Sequence, residues 1–441
     1  MPLDLLEDLE ARGLVHASTD RDALRSRLAT GPIAVYYGCD PTRDSLHHGN
    51  LIGLLMLRRF QEAGHRPVAL AGGATGMVGD PSGRSEERNL LDDETLERNL
   101  AAITAQITRI LGDGGGWALV DNRTWTAHLR LLDFLRDVGK HVTVNQMVAR
   151  ESVKLRMASE HGISFTEFSY MLLQANDYLW LHRHEAVELQ IGGSDQWGNI
   201  LSGVDLVRRA DAHAVHALCW PLLTSAGGIK VGKSTGAQLW LDPARTSTYA
   251  FYQHFVQVED ADLRRHLAWF TLLPVEKIDD LVRAHLAAPE RRAGQRRLAF
   301  EVTSLVHGRD AAAAAEGAAD MLFGGAPEEA SVAALEMVEA EVPRVDVARR
   351  ELEAGVDPAR VLRDSGLVRS TSEGRRTVEQ GGVAVNGSRL EVGMTIGTRH
   401  LLHGRWAVLR KGKRSFAVVR LAPDDGADAG GSGPHRPRGR L

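Results

Sequence analysis

AVELQIGGSDQWGNILSGVDLVRRA, residues 186–210, begins as an apolar strand, breaks at Gly192-Gly193 and resumes as an amphipathic helix. At the break stand Ser194, Asp195 and Gln196, three polar side chains where the backbone turns sharply. Strand, glycine turn and helix form half of a parallel-sheet unit. A second such unit lies upstream in residues 31–80. There Ile33 to Tyr37 are strand-like, LIGLLMLRRFQEAGH is apolar on nearly every face as a buried helix would be, and RPVALAGGATGMVGD is a strand entering a glycine-rich turn. Ligands of such sheets bind beyond the carboxyl ends of the strands, so Tyr37 to Asn50, Gly72 to Asp80 and Gly192 to Gln196 are expected to line one crevice. The expected class is α/β with a Rossmann-type parallel sheet.

A chain of 441 residues with 43% apolar and 25% charged residues has material for two or three domains. The formal net charge is −4, but residues 358–421 hold 13 Lys/Arg against 4 Asp/Glu, a local +9 that leaves −13 elsewhere. That asymmetry points to a polyanion-facing appendage on an acidic body. Cys39 and Cys219 are too few for a disulfide framework or a structural zinc site, as expected of a reducing compartment. MPLDLLEDLEARG is acidic and amphipathic, unlike a signal peptide, and no run reaches the roughly 18 apolar residues of a membrane span. A cytoplasmic protein with no membrane association is expected.

The pattern divides the chain into a sheet domain over 1–245, a helical domain over 246–323, a linker over 324–357, a small α+β module over 358–421 and a disordered tail over 422–441. In the module, two short helices precede VAVNGSRL, whose Asn386-Gly387 predicts a tight turn.

Three stretches carry chemistry. In DSLHHGN, His47 and Asn50 stand three apart at a helix N-terminus, where backbone amides favour anions; helix capping is the alternative for Asn50. GGIKVGKSTGAQ sets Lys230, Lys233 and Ser234 between glycines, suited to closing over a polyphosphate though without the spacing of a Walker loop; the alternative is a solvated basic turn. In FSYMLLQANDYLWL, Tyr170, Gln174 and Asp177 recur at i, i+4 and i+7, within about 60° of helical arc. Such groups amid leucines either satisfy one another or receive a polar ligand.

Together these stretches resemble the bacterial tyrosyl-tRNA synthetases, from about Leu3 to Leu421 and in the family's order. YYGCDPTRDSLHHGN is similar to the first class I signature and KVGKS to the second. GGATGMVGDPSGRSEERN, YMLLQANDYLWL and LQIGGSDQWGN are similar to the amino-acid and ATP pocket, and VLRDSGLVRSTSEGRRTVEQGGVAVNG to an S4-type RNA-binding module. The resemblance implies that Tyr36 and Asp177 contact the substrate phenol, that Tyr170, Gln174 and Asp80 surround its ammonium with Gln190 nearby, and that Gln196 lies near its carboxylate. It implies Gly38, Asp40, Gly192 and Asp195 on adenosine, Thr42 and Gly49 along ATP, and His47, Asn50, Lys230, Lys233 and Ser234 at the reacting phosphate with Arg84 and Arg88 on the pyrophosphate side. Arg375, Arg376, Arg410, Lys411 and Lys413 would bind RNA. The implied partners are L-tyrosine, ATP with Mg²⁺ but no metal tightly ligated by protein, tRNA(Tyr) and a second copy of the chain.

Two positions depart from the family pattern: Asn50 replaces the final His of the first signature, and Tyr37 stands where a small residue is common. Two other readings are compatible with the same motifs. A tryptophanyl-tRNA synthetase would share the fold, but Tyr36 with Asp177 matches an indole poorly. An RNA-binding protein that has lost catalysis would have no use for the paired lysines.

Overall fold

Six strands of the computed structural model form the first sheet: β1 (Ala17–Ser18), β2 (Ala34–Cys39), β3 (Arg66–Ala71), β4 (Ala118–Asp121), β5 (Val187–Gly193) and β6 (His216–Trp220). The structure describes residues 4–80, 91–158, 162–224, 238–323, 325–412 and 414–423. Arg84, Arg88, Lys230, Lys233, Ser234 and Lys413 of the expected site lie outside the described residues, as do residues 424–441 of the tail.

The strand order is β1-β6-β5-β2-β3-β4. Five strands are parallel, and β1 runs antiparallel on the edge with Ala17 opposite Cys219. The central strands are buried on both faces, which is why they read as continuous apolar runs. From β2 the chain proceeds outward to β3 and β4, and it then returns to lay β5 and β6 on the other side of β2. The winding therefore reverses between β2 and β5, the switch point beyond whose carboxyl ends the ligand crevice of such sheets lies. Asp40 directly follows β2, and the single 3₁₀ turn Ser194–Gln196 directly follows β5.

The helix Phe165–Glu185 is capped at Ser164, whose hydroxyl accepts from the Glu167 amide, and ends at Ala186 in the left-handed region. It packs on the helix Trp197–Asp211 where Gly203 meets Tyr178: a Cβ there would lie 2.8 Å from the ring. Tyr36, Tyr178 and Phe60 are among the largest fully buried side chains.

The chain divides into two compact units, Met1–Ser247 with Gln257–Leu298, and Thr248–Val256 with Ala299–Leu441. In the second unit the helix Arg309–Phe323 buries Ala312, Ala315 and Ala318, small residues that let neighbouring helices approach. A second sheet follows, β7 (Arg344–Val347), β8 (Val383–Val385), β9 (Ser388–Arg389), β10 (Trp406–Lys411) and β11 (Ser415–Leu421), in the order β7-β11-β10-β8-β9. Asn386 (φ 47°) and Gly387 (φ 84°) make the tight turn between β8 and β9.

Residues 324–357, read from sequence as a linker, hold the helix Val332–Glu341, strand β7 and the helix Arg349–Ala354. β7 pairs in parallel with β11, and Val347 and Leu352 enter the same core as Leu362, Ile396, Leu409 and Val419. The reason is geometric: a four-residue strand whose valines alternate with Asp346 is too short for its period to stand out. Glu339 fixes the arrangement by accepting from Trp406 Nε1 at 2.6 Å, Arg420 at 2.9 Å and Arg344 at 3.0 Å.

Candidate active site

Neighbouring strands supply the floor of the crevice. Tyr36 of β2 stands opposite Gln190 of β5 in the ladder, so both side chains leave the same face of the sheet. Asp177 reaches that floor from the helix Phe165–Glu185, 2% exposed. Its Oδ1 accepts from Trp125 Nε1 at 2.8 Å and its Oδ2 from Asn122 Nδ2 at 2.9 Å. Burial pushes the carboxyl up to about 7; the two donors pull the other way, and Asp40 and Asp121 add to the rise. The Tyr36 phenol is held well above its ordinary range by burial first, then by Asp177 and Tyr178, whose ring meets it edge-on at 5.3 Å. Three buried polar atoms here have no hydrogen-bond partner among the described residues: Tyr36 Oη, Gln174 Oε1 and Gln190 Oε1. Each such group costs about 1–3 kcal/mol, which a polar ligand seated among them can offset.

Around this pocket runs a chain of hydrogen bonds. Tyr170 Oη donates to Asp40 Oδ2 at 2.9 Å and Thr75 Oγ1 to Asp40 Oδ1 at 2.7 Å. Asn122 Nδ2 also donates to Thr75 Oγ1 at 3.0 Å, and Asn122 Oδ1 accepts from the Ala74 amide at 2.7 Å. Asp80 accepts from Gln196 Nε2 at 2.6 Å and Asn199 Nδ2 at 3.4 Å. Of the residues expected at the amino-acid pocket, Tyr36, Gln174 and Gln190 each carry a buried polar atom without a partner among the described residues, Asp177 is held by Asn122 and Trp125, Tyr170 turns to Asp40, and Asp80 and Gln196 pair with each other. Gly38 is exposed at the end of β2, Gly192 is buried, and Asp195 stands exposed on the turn after β5.

His47 caps the helix His48–Glu62. Its Nδ1 accepts from the Gly49 amide at 3.0 Å, so the neutral ring carries its proton on Nε2. Asn50 Oδ1 accepts from the His47 amide at 3.2 Å, completing a reciprocal cap. The Asn50 side chain lies close enough to the Tyr37 phenol to oppose the rise in its pKa that burial causes. The two departures from the family pattern are thus in contact. The Tyr37 ring lies over Gly53, where a Cβ would sit 2.3 Å from Cζ, and edge-on to Trp220 at 5.5 Å, so its bulk is buried in the fold. Thr42 lies in the turn after β2, its amide donating to the Asp40 carbonyl at 2.8 Å. Leu239 to Leu241 are laced onto this turn: the His48 amide donates to the Leu239 carbonyl at 3.0 Å and the Leu241 amide to that of Leu46 at 2.9 Å.

Sequence reasoning passed over Asn122, Trp125, Thr75 and Asn199. The signal for the first two was strand β4: reading it as the next parallel strand would have put the residues after Asp121 on the crevice rim. In the second unit, Arg375 and Arg376 are exposed on the helix Thr371–Glu379, with Arg375 3.5 Å from Asp357. Arg410 is half-buried on β10. Lys411 Nζ donates to the Leu367 carbonyl at 2.6 Å and stands 3.5 Å from Glu373, so it ties local structure together.

Among the described residues no helix is long and apolar enough to cross a membrane. Residues 28–324 match the family described as tRNA synthetases class I (W and Y), and residues 334–419 match the tyrosine–tRNA ligase SYY-like C-terminal domain. The chain is 48% identical over 424 residues to a tyrosine–tRNA ligase of Opitutus terrae, covering 95% of this chain and 100% of that protein. It is 49% identical over 426 residues to one of Nocardia farcinica, covering 94% and 98% respectively. Among solved structures it is similar to a C-terminally truncated mitochondrial tyrosyl-tRNA synthetase of Aspergillus nidulans, with 33% identity and a TM-score of 0.66, over 72% of this chain and 94% of that one. It shares the fold of a tryptophanyl-tRNA synthetase of Encephalitozoon cuniculi at 15% identity and a TM-score of 0.53, over 70% of this chain and 90% of that one.

Proposed function

Since the chain belongs to the class I tRNA synthetases, among the tyrosine–tRNA ligases, we propose that the Tyr36–Asp177 pocket selects L-tyrosine for activation by ATP and transfer to tRNA(Tyr). The observation that carries this is a buried carboxylate facing a buried phenol that has no partner among the described residues. A substrate phenol can donate to Asp177 and accept from Tyr36 at the same oxygen. An indole nitrogen can only donate and would leave Tyr36 unmatched. Gln174 and Gln190 supply further acceptors, with Tyr170, Asp80 and Gln196 toward the ammonium and carboxylate.

The substrate carboxylate is ionised at neutral pH and attacks the α-phosphorus directly, so the site needs no general base. It needs alignment, and positive charge where negative charge develops. Gly38, Asp40, Gly192 and Asp195 hold the adenosine in this reading, and Thr42 and Gly49 border the phosphates. His47 Nε2–H, Lys230 and Lys233 face the reacting phosphate with Ser234, while Arg84 and Arg88 take the pyrophosphate. Asn50 acts through His47, by fixing its cap. Mg²⁺ fits as an ion carried on ATP, because it prefers phosphate oxygens and water to an all-protein cage.

The activated tyrosine passes to the ribose of the 3′-terminal adenosine, with the basic segment, local charge +9, gripping the RNA through Arg375, Arg376 and Arg410. In this reading the catalytic residues belong to the unit Met1–Ser247 with Gln257–Leu298, and the RNA-binding part, within the other unit, begins with the helix Val332–Glu341. The active form is a homodimer in the cytoplasm. Leu131, Leu132 and Phe165 are 71%, 77% and 80% exposed, and Val144, Leu155 and Met157 in the same segment are also exposed, an apolar density that a second copy would cover. ATP–pyrophosphate exchange driven by tyrosine but not by tryptophan or phenylalanine, together with charging of tRNA(Tyr), is the expected result. Exchange driven by tryptophan, or absent with every amino acid, would overturn the reading.

A further inference from the structure

Asp177, Trp180 and His184 recur at i, i+3 and i+7 on one helix, and so share a stripe along its surface. At the inner end Asp177 accepts from Trp125 Nε1 at 2.8 Å. The Trp125 indole belongs to a four-residue helix, Arg123–Thr126, that has no side-chain cap. The indole sits among the core residues Val138, Tyr178 and Leu179, and Trp180 is stacked flat on it at 4.0 Å with 11° between the rings. His184 stacks on the outer face of Trp180 at 4.3 Å and 15°, and its Nδ1 hydrogen-bonds the Trp180 carbonyl at 2.9 Å. Three flat rings therefore run from the exposed His184 through the half-buried Trp180 to a buried indole whose N–H holds Asp177.

We propose that Trp180, backed by His184, is a positioning residue for amino-acid selectivity: the stack sets the plane of Trp125 and thereby the orientation of the carboxylate that receives the substrate phenol. Among the described residues Asp177 has two side-chain donors, one on each oxygen, and Asn122 alone leaves the carboxylate able to turn about its bond to the chain. The Trp125 N–H removes that freedom only while the indole keeps its plane. A hydrogen bond weakens steeply as its angle departs from linear, so loosening the stack costs orientation before it costs folding. Neither Trp180 nor His184 need touch the substrate. The effect falls on discrimination between tyrosine and phenylalanine, because only the hydroxyl reports on the carboxylate. This inference rests on the reading that Asp177 meets that hydroxyl.

The test measures tyrosine- and phenylalanine-dependent ATP–pyrophosphate exchange on the full chain carrying Trp180→Ala, Trp180→Leu, Trp180→Phe, His184→Ala and Asp177→Asn. An aromatic contact of this kind corresponds to roughly a two- to tenfold effect. Trp180→Ala should lower the tyrosine-to-phenylalanine ratio of kcat/KM by that factor, mainly through KM for tyrosine, with KM for ATP unchanged. Trp180→Leu keeps bulk without a flat face and carries the same expectation, so the test does not depend on the alanine variant alone. Trp180→Phe should restore most of the ratio, and His184→Ala should lower it less. In an Asp177→Asn background Trp180→Ala should change the ratio no further, since the carboxylate it positions is gone. If Asp177→Asn leaves the ratio intact, the reading of the pocket fails. If Asp177→Asn collapses the ratio while Trp180→Ala and Trp180→Leu leave it unchanged, or shift it equally in both backgrounds, the stack is only structural and the inference is overturned.

Discussion

Replacing Asp177 by Asn should make the protein less sensitive to alkali, and tyrosine should undo the difference. In the folded chain burial lifts the Asp177 carboxyl from 3.8 to about 7. Above about pH 7 the carboxylate is ionised in both states, and the folded chain carries the full cost of a buried charge, on the order of 4 kcal/mol. As pH falls the folded carboxyl takes up a proton that the unfolded chain does not hold until near its ordinary value, so the cost shrinks toward zero at about pH 4. Stability contributed at this site therefore falls as pH rises from about 4 to 7 and is level above, the reverse of an ion-paired carboxylate. The carboxamide of the Asp177→Asn protein cannot ionise, and it keeps one acceptor for Asn122 or Trp125. Between about pH 5 and pH 8 the Asp177→Asn protein should gain roughly 2 to 3 kcal/mol on the unsubstituted one. Saturating tyrosine, whose phenol stabilises the ionised carboxylate, should protect the unsubstituted protein most at the alkaline end. Equilibrium urea unfolding followed by tryptophan fluorescence, at several pH values with and without tyrosine, measures this directly. Parallel pH dependence of the two proteins would refute the account of a buried carboxylate whose two hydrogen bonds do not offset the cost of its charge.

Lys233→Ala should slow adenylate formation by about a hundredfold or more, the usual cost of one transition-state cation, with tyrosine affinity unchanged; a single-turnover rate within about threefold of the unsubstituted protein would remove Lys233 from the chemistry. Ending the chain at Ala330 should preserve pyrophosphate exchange within roughly a few-fold while abolishing tRNA charging, and persistent charging would mean that the basic unit does not hold the RNA. That cut is preferable to one after Gly355, which would strand β7 and Leu352 without the sheet and core they belong to. Leu132→Asp, at a position 77% exposed and so tolerant in the folded chain, should convert a dimer to monomer in light scattering; an unchanged mass would move the interface elsewhere.

Much of the site was legible because its residues sit where local rules operate. The glycine break at Gly192-Gly193, the helix N-terminus at His47 and the i, i+4, i+7 spacing of Tyr170, Gln174 and Asp177 are all short-range features, and each element formed as its period required. The tight turn at Asn386-Gly387 has the same origin, since only a residue pair tolerant of positive φ can make it. Charge was legible too, because the +9 of residues 358–421 is a count and needs no fold.

What depended on tertiary structure was partnership. Nothing in the spacing of Asp177 from Asn122 and Trp125, 55 and 52 residues away, announces that they share one carboxylate. That contact exists because the sheet reverses at β2, which brings the ends of β2, β4 and β5 and the helix Phe165–Glu185 to one rim. Likewise Tyr37 and Asn50 read as two separate departures from a pattern, and became neighbours only when the strand and the helix were packed. The sequence by itself determined which elements form and which chemistries they carry, because periodicity, capping and charge are properties of neighbours along the chain. The tertiary structure alone decided which buried polar atoms are satisfied and which are left open for a substrate, because that balance depends on residues distant in sequence meeting in a dry interior.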